Sequence, residues 1–502
     1  MGISGKRSVW IQISLLLSFL FAQYSVASEY ALHIKRGNKS AIVDANERTV
    51  LLRGVNLNAL GDYYQANPNS PTVIPANKTD FEEMQNLGFN VVRLILSWSF
   101  LEPLPGMIDE AYLQKIHDFV DLAKAHGMYT VLDMHQDAWG KYIASDGSEN
   151  CGFFEPSIGW DGAPEWATIT EGLSTCRVPG LRELSPATAK AFENFWHNKN
   201  GIQDNLINVW KRLAVEFADE PAVAGYDLIN EPNFGISLGW SQTFLMGKFY
   251  TKALKAIRKA ERSVPGGFEH IGFFEPSAEW SAFGITLPPL GFFYFDNNIV
   301  FSPHLYSGSI TITGDVASGF KHAKNIANIY RTPFWSGEWG WFGENTESGI
   351  WEYAQHEDAY LVGGAVWSWK QACGDPHTQK VWNGRVVHDT QHQLNITYCP
   401  GNIEGGISPE YKTVISRAYP KYSPGELIEL SSDPFTGELT LRGKTESPGT
   451  LSLWVPRSDR VDIPVVRNSS GEPTNPNVSN ISADGYVVDL MVNGLYEVSI
   501  TY

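Results

Sequence analysis

The chain has 502 residues, with 38 Lys and Arg against 55 Asp and Glu, so its formal net charge is −17 at pH 7. The length allows one large domain and one small domain, and a hydrophobic content of 43% indicates a globular protein with a sizeable core. The acidic balance argues against nucleic acid as a partner, because a phosphate-binding face needs clustered Lys and Arg.

Residues 1–28 have the pattern of a secretory signal peptide. Lys6 and Arg7 precede an apolar stretch at residues 9–22, and small residues at 25–27 suit a cleavage site. The stretch is short for a membrane span, and an uncleaved signal anchor is the alternative. The segment predicts a secreted or lumenal protein, of a digestive or lysosomal kind.

Six Asn-x-Ser/Thr sequons and four cysteines fit passage through an oxidising, glycosylating route. Four cysteines permit three connectivities, and we predict Cys151–Cys176 and Cys373–Cys399 because each pair closes one local loop. Neither Cys-x-x-Cys nor His-Glu-x-x-His occurs in the sequence, so we expect no metal and no cofactor. The sequons lie at Asn38, Asn77, Asn395, Asn468, Asn477 and Asn480.

Short apolar runs alternate with longer amphipathic stretches through residues 29–420, a rhythm typical of βα units and a parallel sheet. Eight such units predict a (β/α)₈ barrel, whose active site lies at the carboxyl ends of its strands. A doubly wound open sheet is the alternative, but the chain has no glycine-rich phosphate motif to favour it. The predicted strands cover residues 50–56, 91–95, 130–134, 223–228, 270–274, 299–302, 332–336 and 364–368.

The pattern of apolar and polar residues changes after residue 420. Helical periodicity stops, and short alternating strands follow one another between turn-rich segments. This pattern predicts a small C-terminal β-sandwich at residues 421–502. We interpret it as a structural domain packed on the barrel, with a sugar-binding or lipid-surface module as the alternative.

Two glutamates follow predicted barrel strands. Glu231 ends the fourth strand and Glu338 ends the seventh, and two facing carboxylates are the minimum equipment for breaking a glycosidic bond. Asn230 precedes Glu231 and can donate to a sugar hydroxyl, so we predict Glu231 as the general acid/base and Glu338 as the nucleophile. The neighbouring negative charge is expected to raise the pKa of Glu231. A structural salt bridge is the alternative for either glutamate.

Other polar and aromatic residues at strand ends complete the predicted site. Arg93 and Tyr306 are expected to stabilise Glu338 by charge and by a hydrogen bond. Glu275 is the main competitor for a catalytic role, but no Asn precedes it. The predicted substrate-binding residues are His135, Asp137, Asn230, His304, Tyr306 and Trp367. For the histidines and the aspartate, a polar network within the barrel mouth is the alternative.

These motifs occur in the order found in glycoside hydrolase family 5, which the chain resembles over roughly residues 45–375. The matching residues are Arg93, His135, Asn230-Glu231-Pro232, His304 with Tyr306, Gly337-Glu338-Trp339-Gly340 and Trp367. The resemblance implies a retaining barrel enzyme with its acid/base on the fourth strand and its nucleophile on the seventh.

Within that family the chain looks like the endoglycoceramidases, on its motifs at residues 53–56, 133–137, 162–168 and 366–370 and its trailing β-sandwich. This resemblance implies cleavage between the oligosaccharide and ceramide of glycosphingolipids, with release of the intact glycan. We expect a monomer that meets its substrate at a membrane or micelle surface. The resemblance also implies that the glucose next to ceramide is bound by His135, Asp137, Asn230 and Trp367, and that Trp166 lies in the glycan channel.

Two other functions fit the sequence: a family 5 β-glucanase or β-glucosidase acting on another β-glucoside, and a non-catalytic glycolipid-binding protein. Apolar residues in loops after strands two, four and five predict an amphipathic cleft, with helix packing as the alternative. They are Leu101, Leu104, Met107, Phe234, Ile236, Leu238, Trp280 and Phe283.

Overall fold

A computed structural model describes most of the chain after the predicted signal peptide, which lies outside the described residues. Its described part contains a closed parallel barrel and an antiparallel β-sheet, which confirms the predicted fold class. The described residues are 31–236, 240–283, 288–306, 315–340, 346–382, 385–388, 393–461, 463–468 and 475–502.

The barrel sheet has nine segments because its sixth strand is interrupted. The first segment, Ile299–Phe301, pairs with the fifth strand, and the second, Leu305–Tyr306, pairs with the seventh. A parallel bridge between Phe301 and Phe334 completes the closure. The other strands are Arg53–Leu57, Val91–Ser97, Tyr129–His135, Val223–Asp227, Ile271–Phe274, Ser336–Gly340 and Gly364–Val366.

The seventh strand begins later than the sequence predicts. The predicted run at 332–336 contains Pro333, which has no N–H to donate to a neighbouring strand. Within this run Phe334 forms a bridge to Phe301, and the strand itself begins only at Ser336, the last residue of the run. Glu338 therefore lies within the strand and not beyond its end, between Ser336 and Trp339, where the pairing with the eighth strand changes register.

The barrel strands are buried along their whole length, as expected for parallel strands covered by helices. The helix at residues 186–196 begins with Pro186, after Ser185 Oγ accepts from Thr188 N. The α-helices are Lys78–Asn86, Trp98–Leu101, Glu110–Ala125, Pro186–Trp196, Ile202–Glu216, Trp240–Glu261, Ala278–Phe283, Val316–Tyr330, Thr346–Tyr360 and Pro409–Ile415.

The antiparallel sheet takes strands from both ends of the chain. Arg48–Val50 pairs with Tyr419–Pro424, so three strands inside the predicted barrel domain belong to this sheet. The predicted boundary at residue 420 also falls inside a strand of the sheet. The nine strands are His33–Lys35, Ala41–Val43, Arg48–Val50, Tyr419–Pro424, Glu426–Asp433, Glu438–Pro456, Val465–Asn468, Asn477–Asn480 and Gly485–Thr501.

Buried ion pairs join this sheet to the barrel. Asp358 Oδ1 lies 2.6 Å from Arg53 Nη2 and 2.9 Å from Arg417 Nη2, and its other oxygen accepts from Ser432 N at 3.1 Å. Glu357 Oε2 lies 2.8 Å from the same nitrogen of Arg417. Removing one partner would leave a buried charge unpaired, which makes the contact costly to break.

Both predicted disulfides, Cys151–Cys176 and Cys373–Cys399, are present. Each lies in a long connection that follows a barrel strand, the first after strand three and the second after strand eight. Both connections therefore lie at the catalytic end of the barrel. Their hairpins are Glu155–Pro156 with Cys176–Arg177, Gln379–Trp382 with Arg385–His388, and Asn395–Tyr398 with Ile403–Ile407. Among the described residues, no helix has the length and apolar character needed to cross a membrane.

Candidate active site

Arg93 of the second strand lies at the centre of the site and is completely buried. Its guanidinium nitrogens lie 2.9–3.0 Å from Asp133, Asp227, Glu275 and Glu338. Burial disfavours the guanidinium charge, but the surrounding carboxylates raise the pKa of Arg93 well above its usual value. Arg93 therefore stays charged, and its positive charge partly neutralises the four surrounding carboxylates.

Glu338 has a partner on each carboxylate oxygen. Arg93 Nη1 donates to Oε1 at 2.9 Å, and the Tyr306 hydroxyl donates to Oε2 at 2.7 Å. Nδ1 of His304 lies 3.4 Å from the same Oε2. These are the contacts that the sequence predicts for Arg93 and Tyr306, and they hold the carboxylate in one orientation.

Glu231 is held through both its side chain and its backbone. His304 Nδ1 lies 2.9 Å from Oε1, Arg182 Nη2 lies 3.1 Å from Oε2, and Glu231 N donates to Glu275 Oε2 at 2.8 Å. The backbone has φ +36°, in the left-handed region that non-glycine residues rarely adopt. Such a conformation costs about 1–3 kcal/mol and persists where surrounding contacts enforce it, often at functional sites.

The pKa of Glu231 differs from the sequence prediction. Burial raises it, but the hydrogen bond and charge of His304, with the charge of Arg182, outweigh burial and lower it below its usual value. The predicted rise rests on the nearby negative charge alone: His304 is predicted as a sugar ligand and not as a partner of Glu231, and Arg182 is not predicted at the site. In this state Glu231 is ionised at neutral pH.

His304 connects the two glutamates. One carboxylate oxygen of each glutamate and one nitrogen of His304 lie within 4.8 Å of one another. Burial disfavours the imidazolium, but Glu275 and Glu338 raise the pKa of His304 well above its usual value. The histidine therefore supplies a positive charge between the two carboxylates.

Three clusters of described residues have ligand atoms close enough to hold a cation. In each cluster the protein already places a positive group near the acids: Arg93, His304 or His135. The carboxylates thus have cationic partners without a metal. The clusters are Asp133, Asp227 and Glu275; Glu231, His304 and Glu338; and His135, Asp137 and Asp161.

The predicted sugar ligands from strands three, four and eight lie beside the glutamates. His135 donates toward Asp133 at 2.7 Å, and its ring stacks on Trp367 with the centroids 5.3 Å apart. Asn230 accepts from Arg93 Nη2 at 3.0 Å and donates to Gln136 O at 3.0 Å. These contacts fix the side chains before any ligand enters.

Trp166 lies apart from this group. Its indole N–H donates to Glu102 O at 3.1 Å, and its ring packs edge-on against Trp98. Both contacts are with residues that follow the second strand, in and just after the helix Trp98–Leu101. Its predicted place in a glycan channel stays a prediction.

Arg182 and His377 lie at the site but are not predicted from the sequence. Arg182 contacts both Asp137 and Glu231, and His377 Nε2 lies 2.6 Å from Asp137 Oδ2. Both belong to the disulfide-bearing connections, where no periodic pattern places side chains. The only signal in the sequence is that both residues lie near a predicted disulfide, because a disulfide that holds a loop in place suggests that the loop contributes to the site.

Asp161 is a third residue that the sequence analysis does not identify. It is completely buried near His135, Asp137 and His377, and neither carboxylate oxygen has a hydrogen-bond partner among the described residues. Burial raises the pKa of Asp161 to about 7. A carboxyl in this setting is largely protonated in mildly acidic solution.

Comparison with known proteins gives consistent matches. The crystal structure of an endogalactoceramidase is 42% identical, with a TM-score of 0.84 over 93% of this chain and 99% of that chain. An endoglycoceramidase I of Rhodococcus hoagii is 29% identical over 53% of this chain and 51% of that protein. An endoglycoceramidase of Hydra vulgaris is 27% identical over 59% of each. The chain thus spans between half and three fifths of the length of these two curated relatives.

The family comparison covers the barrel. The model of cellulase, glycosyl hydrolase family 5, matches residues 43–373, which include every barrel strand and both glutamates. Since this match extends over more than half of the sequence, the chain belongs to glycosyl hydrolase family 5.

Proposed function

We propose that this enzyme is a retaining endo-glycosidase that hydrolyses the β-glucosidic bond between oligosaccharide and ceramide in glycosphingolipids. Its products are the intact glycan and ceramide. The observation that carries the reaction type is the close approach of Glu231 and Glu338, with oxygens within 4.8 Å of each other. Retaining enzymes need carboxyl groups about 5–5.5 Å apart, whereas inverting enzymes leave about 6.5–9.5 Å for a water.

Glu338 is the proposed nucleophile. Arg93 and Tyr306 each donate to one of its two oxygens, which fixes the orientation of the carboxylate. It attacks the anomeric carbon while the bond to the ceramide oxygen breaks. A covalent glycosyl–enzyme ester results, and the leaving oxygen must receive a proton.

Glu231 is the proposed source of that proton. As the acid it protonates the ceramide oxygen, which leaves as an alcohol. As the base it then takes a proton from water, and the resulting hydroxyl oxygen attacks the anomeric carbon, releases Glu338 and restores Glu231 to its acid form. His304, between both glutamates, is placed to stabilise the negative charge that passes from one to the other.

The sugar next to the cleaved bond is proposed to lie against His135, Asp137, Asn230, His304 and Trp367, with Trp166 farther along the glycan. Support comes from the stacked pair of Trp367 and His135 and from the buried polar atoms beside it. The ring of Trp367 is the proposed apolar surface for the sugar.

The lipid side of the cleft is proposed to be smaller than the sequence suggests. Leu104, Met107 and Ile236 are exposed in loops after strands two and four, which suits contact with a lipid. The rest of the predicted apolar set divides differently. Leu101, Phe234 and Trp280 belong to the protein core, and Leu238 and the side chain of Phe283 lie outside the described residues.

The substrate class rests on relatives named endoglycoceramidase and endogalactoceramidase. The second name, at 42% identity, favours testing galactose as well as glucose next to ceramide. The chain should be incubated with a mixed glycosphingolipid pool, and the products identified by mass spectrometry. We expect intact glycans and free ceramide from the wild type and neither from Glu338→Gln.

The same assay separates the alternatives. Cleavage of cellulose oligomers without cleavage of glycolipid would favour another β-glucoside as the substrate. Lipid binding without cleavage of either would favour a binding protein. If Glu338→Gln turned over substrate as fast as the wild type, the assignment of the nucleophile would be wrong.

We further propose that the protein is a secreted or lumenal glycoprotein that acts as a monomer at a membrane or micelle surface after removal of residues 1–28. Two disulfides support an oxidising compartment. Five of the six sequons are exposed, which supports glycosylation. N-terminal sequencing of the secreted protein tests the cleavage site, and sedimentation tests the oligomeric state.

A further inference from the structure

Arg182 connects two groups that the proposed reaction uses. Its Nη2 lies 3.1 Å from Glu231 Oε2 and also contacts Asp137 Oδ1. Its Nε lies 3.2 Å from Glu183 Oε1, and its guanidinium carbon lies 4.8 Å from the ring centre of Trp160. The side chain of Arg182 therefore bridges the proposed acid/base, Glu231, and a proposed sugar ligand, Asp137.

The cavity between the glutamates is too small for a sugar. Its volume is about 20 Å³ among the described residues, and a single water needs about 10–15 Å³ measured in the same way. A hexose ring cannot enter unless one of the lining side chains moves. The lining residues are His135, Asp137, Arg182, Glu231, Tyr306, Glu338, Trp367 and His377.

Arg182 is the lining residue best able to move. Its side chain is 23% exposed, whereas every other lining side chain is at most 7% exposed. It belongs to the long connection after strand three, while Asp137 and Glu231 follow strands directly. Glu183 and Trp160 offer it contacts that do not involve the cavity.

We propose that Arg182 is a displaceable counter-ion of Glu231: it pairs with this carboxylate before substrate binds and is moved aside by the entering sugar. Glu231 then takes up its proton from solvent only when substrate is bound. The inference rests on the proposed function and adds a positioning residue to it, because Arg182 acts through Glu231.

The charges around Glu231 support this sequence of events. His304 and Arg182 are its two cationic neighbours, and the acidic groups that face it are Asp137, Glu183, Glu279 and Glu338. Glu275 binds its backbone N–H, and Tyr306 lies beside it as a neutral phenol. When Arg182 leaves, His304 alone faces several acids, so protonation of Glu231 becomes easier.

The test compares pH profiles of the wild type, Arg182→Met, Arg182→Lys and Arg177→Met. Arg177 lies in the same connection and pairs with Glu155, so its variant is the matched control. The substrate is a glycosphingolipid in detergent micelles. The kcat/KM profile reports groups of the free enzyme, and the kcat profile reports those of the complex.

In the wild type we expect the alkaline limb of kcat/KM at lower pH than the alkaline limb of kcat. Arg182→Met should raise the kcat/KM limb by about 1–3 pH units, toward the kcat limb, since a nearby opposite charge lowers a carboxyl pKa by that amount. The kcat/KM limb of Arg182→Lys should lie between those of the wild type and Arg182→Met. The limb of Arg177→Met should match that of the wild type.

A nitrophenyl glycoside with the same glycan provides a second readout. Its leaving group needs little protonation, so its kcat/KM limb should not shift in Arg182→Met. If Arg182→Met and Arg182→Lys lower the glycolipid rate equally at every pH, with the limb unmoved, Arg182 is only a scaffold and the inference is overturned. If the folded wild type cleaves no glycolipid, the proposed function fails, and the inference fails with it.

Discussion

The Tyr306 hydroxyl donates a hydrogen bond of 2.7 Å to Glu338 Oε2, while Arg93 holds the other oxygen of the same carboxylate. The two donors come from strands six and two of the barrel. The carboxylate is thus oriented before substrate arrives, and less reorganisation is needed when the reaction begins.

Replacing Tyr306 by Phe tests this orientation. A hydrogen bond to a charged group contributes about 1.5–3 kcal/mol, so we expect kcat to fall about 10- to 100-fold with KM little changed. Tyr142→Phe is the control, because Tyr142 is exposed and the ring that contacts Lys141 Nζ is kept in the variant. Equal kcat values for wild type and Tyr306→Phe would show that the bond does not serve catalysis.

Replacing Arg93 by Met tests the central charge. The change leaves Asp133, Asp227, Glu275 and Glu338 without this partner, and breaking a buried pair costs about 3–5 kcal/mol or more. We expect a large loss of unfolding free energy in urea. Arg442→Met removes an exposed pair with Glu429 and should cost less than about 1 kcal/mol. Similar losses in the two variants would contradict the prediction.

Replacing Asp161 by Asn tests the buried acid. Its folded-state pKa of about 7 is raised from 3.8, so between these values the folded protein binds more protons than the unfolded chain. The stability contributed by this group is complete below about pH 4 and is lost as the pH rises through 7. From pH 5 to pH 8 the wild type should lose about 3 kcal/mol that Asp161→Asn does not lose.

Urea unfolding at pH 5 and pH 8 measures this difference. Asp118→Asn, at an exposed position on the helix Glu110–Ala125, is the control and should behave as the wild type. His377, whose pKa is raised to about 9 by Asp375 and Asp137 against the effect of burial, adds a decline of the same sign at higher pH. If the wild type and Asp161→Asn change equally with pH, Asp161 is already ionised in the folded protein.

Glycopeptide mapping tests which sequons are used. Asn395 is 4% exposed and donates to Glu83 Oε2 at 3.1 Å, so a glycan there would break this contact and open the surrounding core. We expect no occupancy at Asn395. The sequons that we expect to be modified are Asn38, Asn77, Asn468, Asn477 and Asn480. A glycan on Asn395 of the folded protein would contradict this arrangement.

The barrel and the glutamates could be predicted because their signals are local. A buried strand shows as a short apolar run, and a polar residue directly after it lies at the catalytic end. Glu231 follows this rule, whereas Arg93 and Tyr306 lie within their own strands. Glu338 is reached by the same reasoning, although Pro333 moves the start of its strand by four residues.

Arg182, His377 and the N-terminal strands could not be predicted in the same way. Each is placed by a contact with a distant segment of the chain. Arg182 contacts Glu231, His377 contacts Asp137, and Arg48–Val50 pairs with Tyr419–Pro424. Such contacts leave no periodic pattern in the sequence. The lowered pKa of Glu231 was missed for the same reason, since one of its cationic partners lies in an irregular connection.

The pairing of Arg48–Val50 with Tyr419–Pro424 also has a consequence for biosynthesis. The early strand is made long before its partner, and at about 5–20 residues per second the 368 residues between Val50 and Tyr419 take about 20–75 seconds to synthesise. All eight barrel strands emerge within that interval, while Arg48–Val50 pairs only with Ala41–Val43 and its other edge still lacks Tyr419–Pro424. A chaperone that covers this strand edge during translation would prevent the nascent chain from pairing with a second nascent chain.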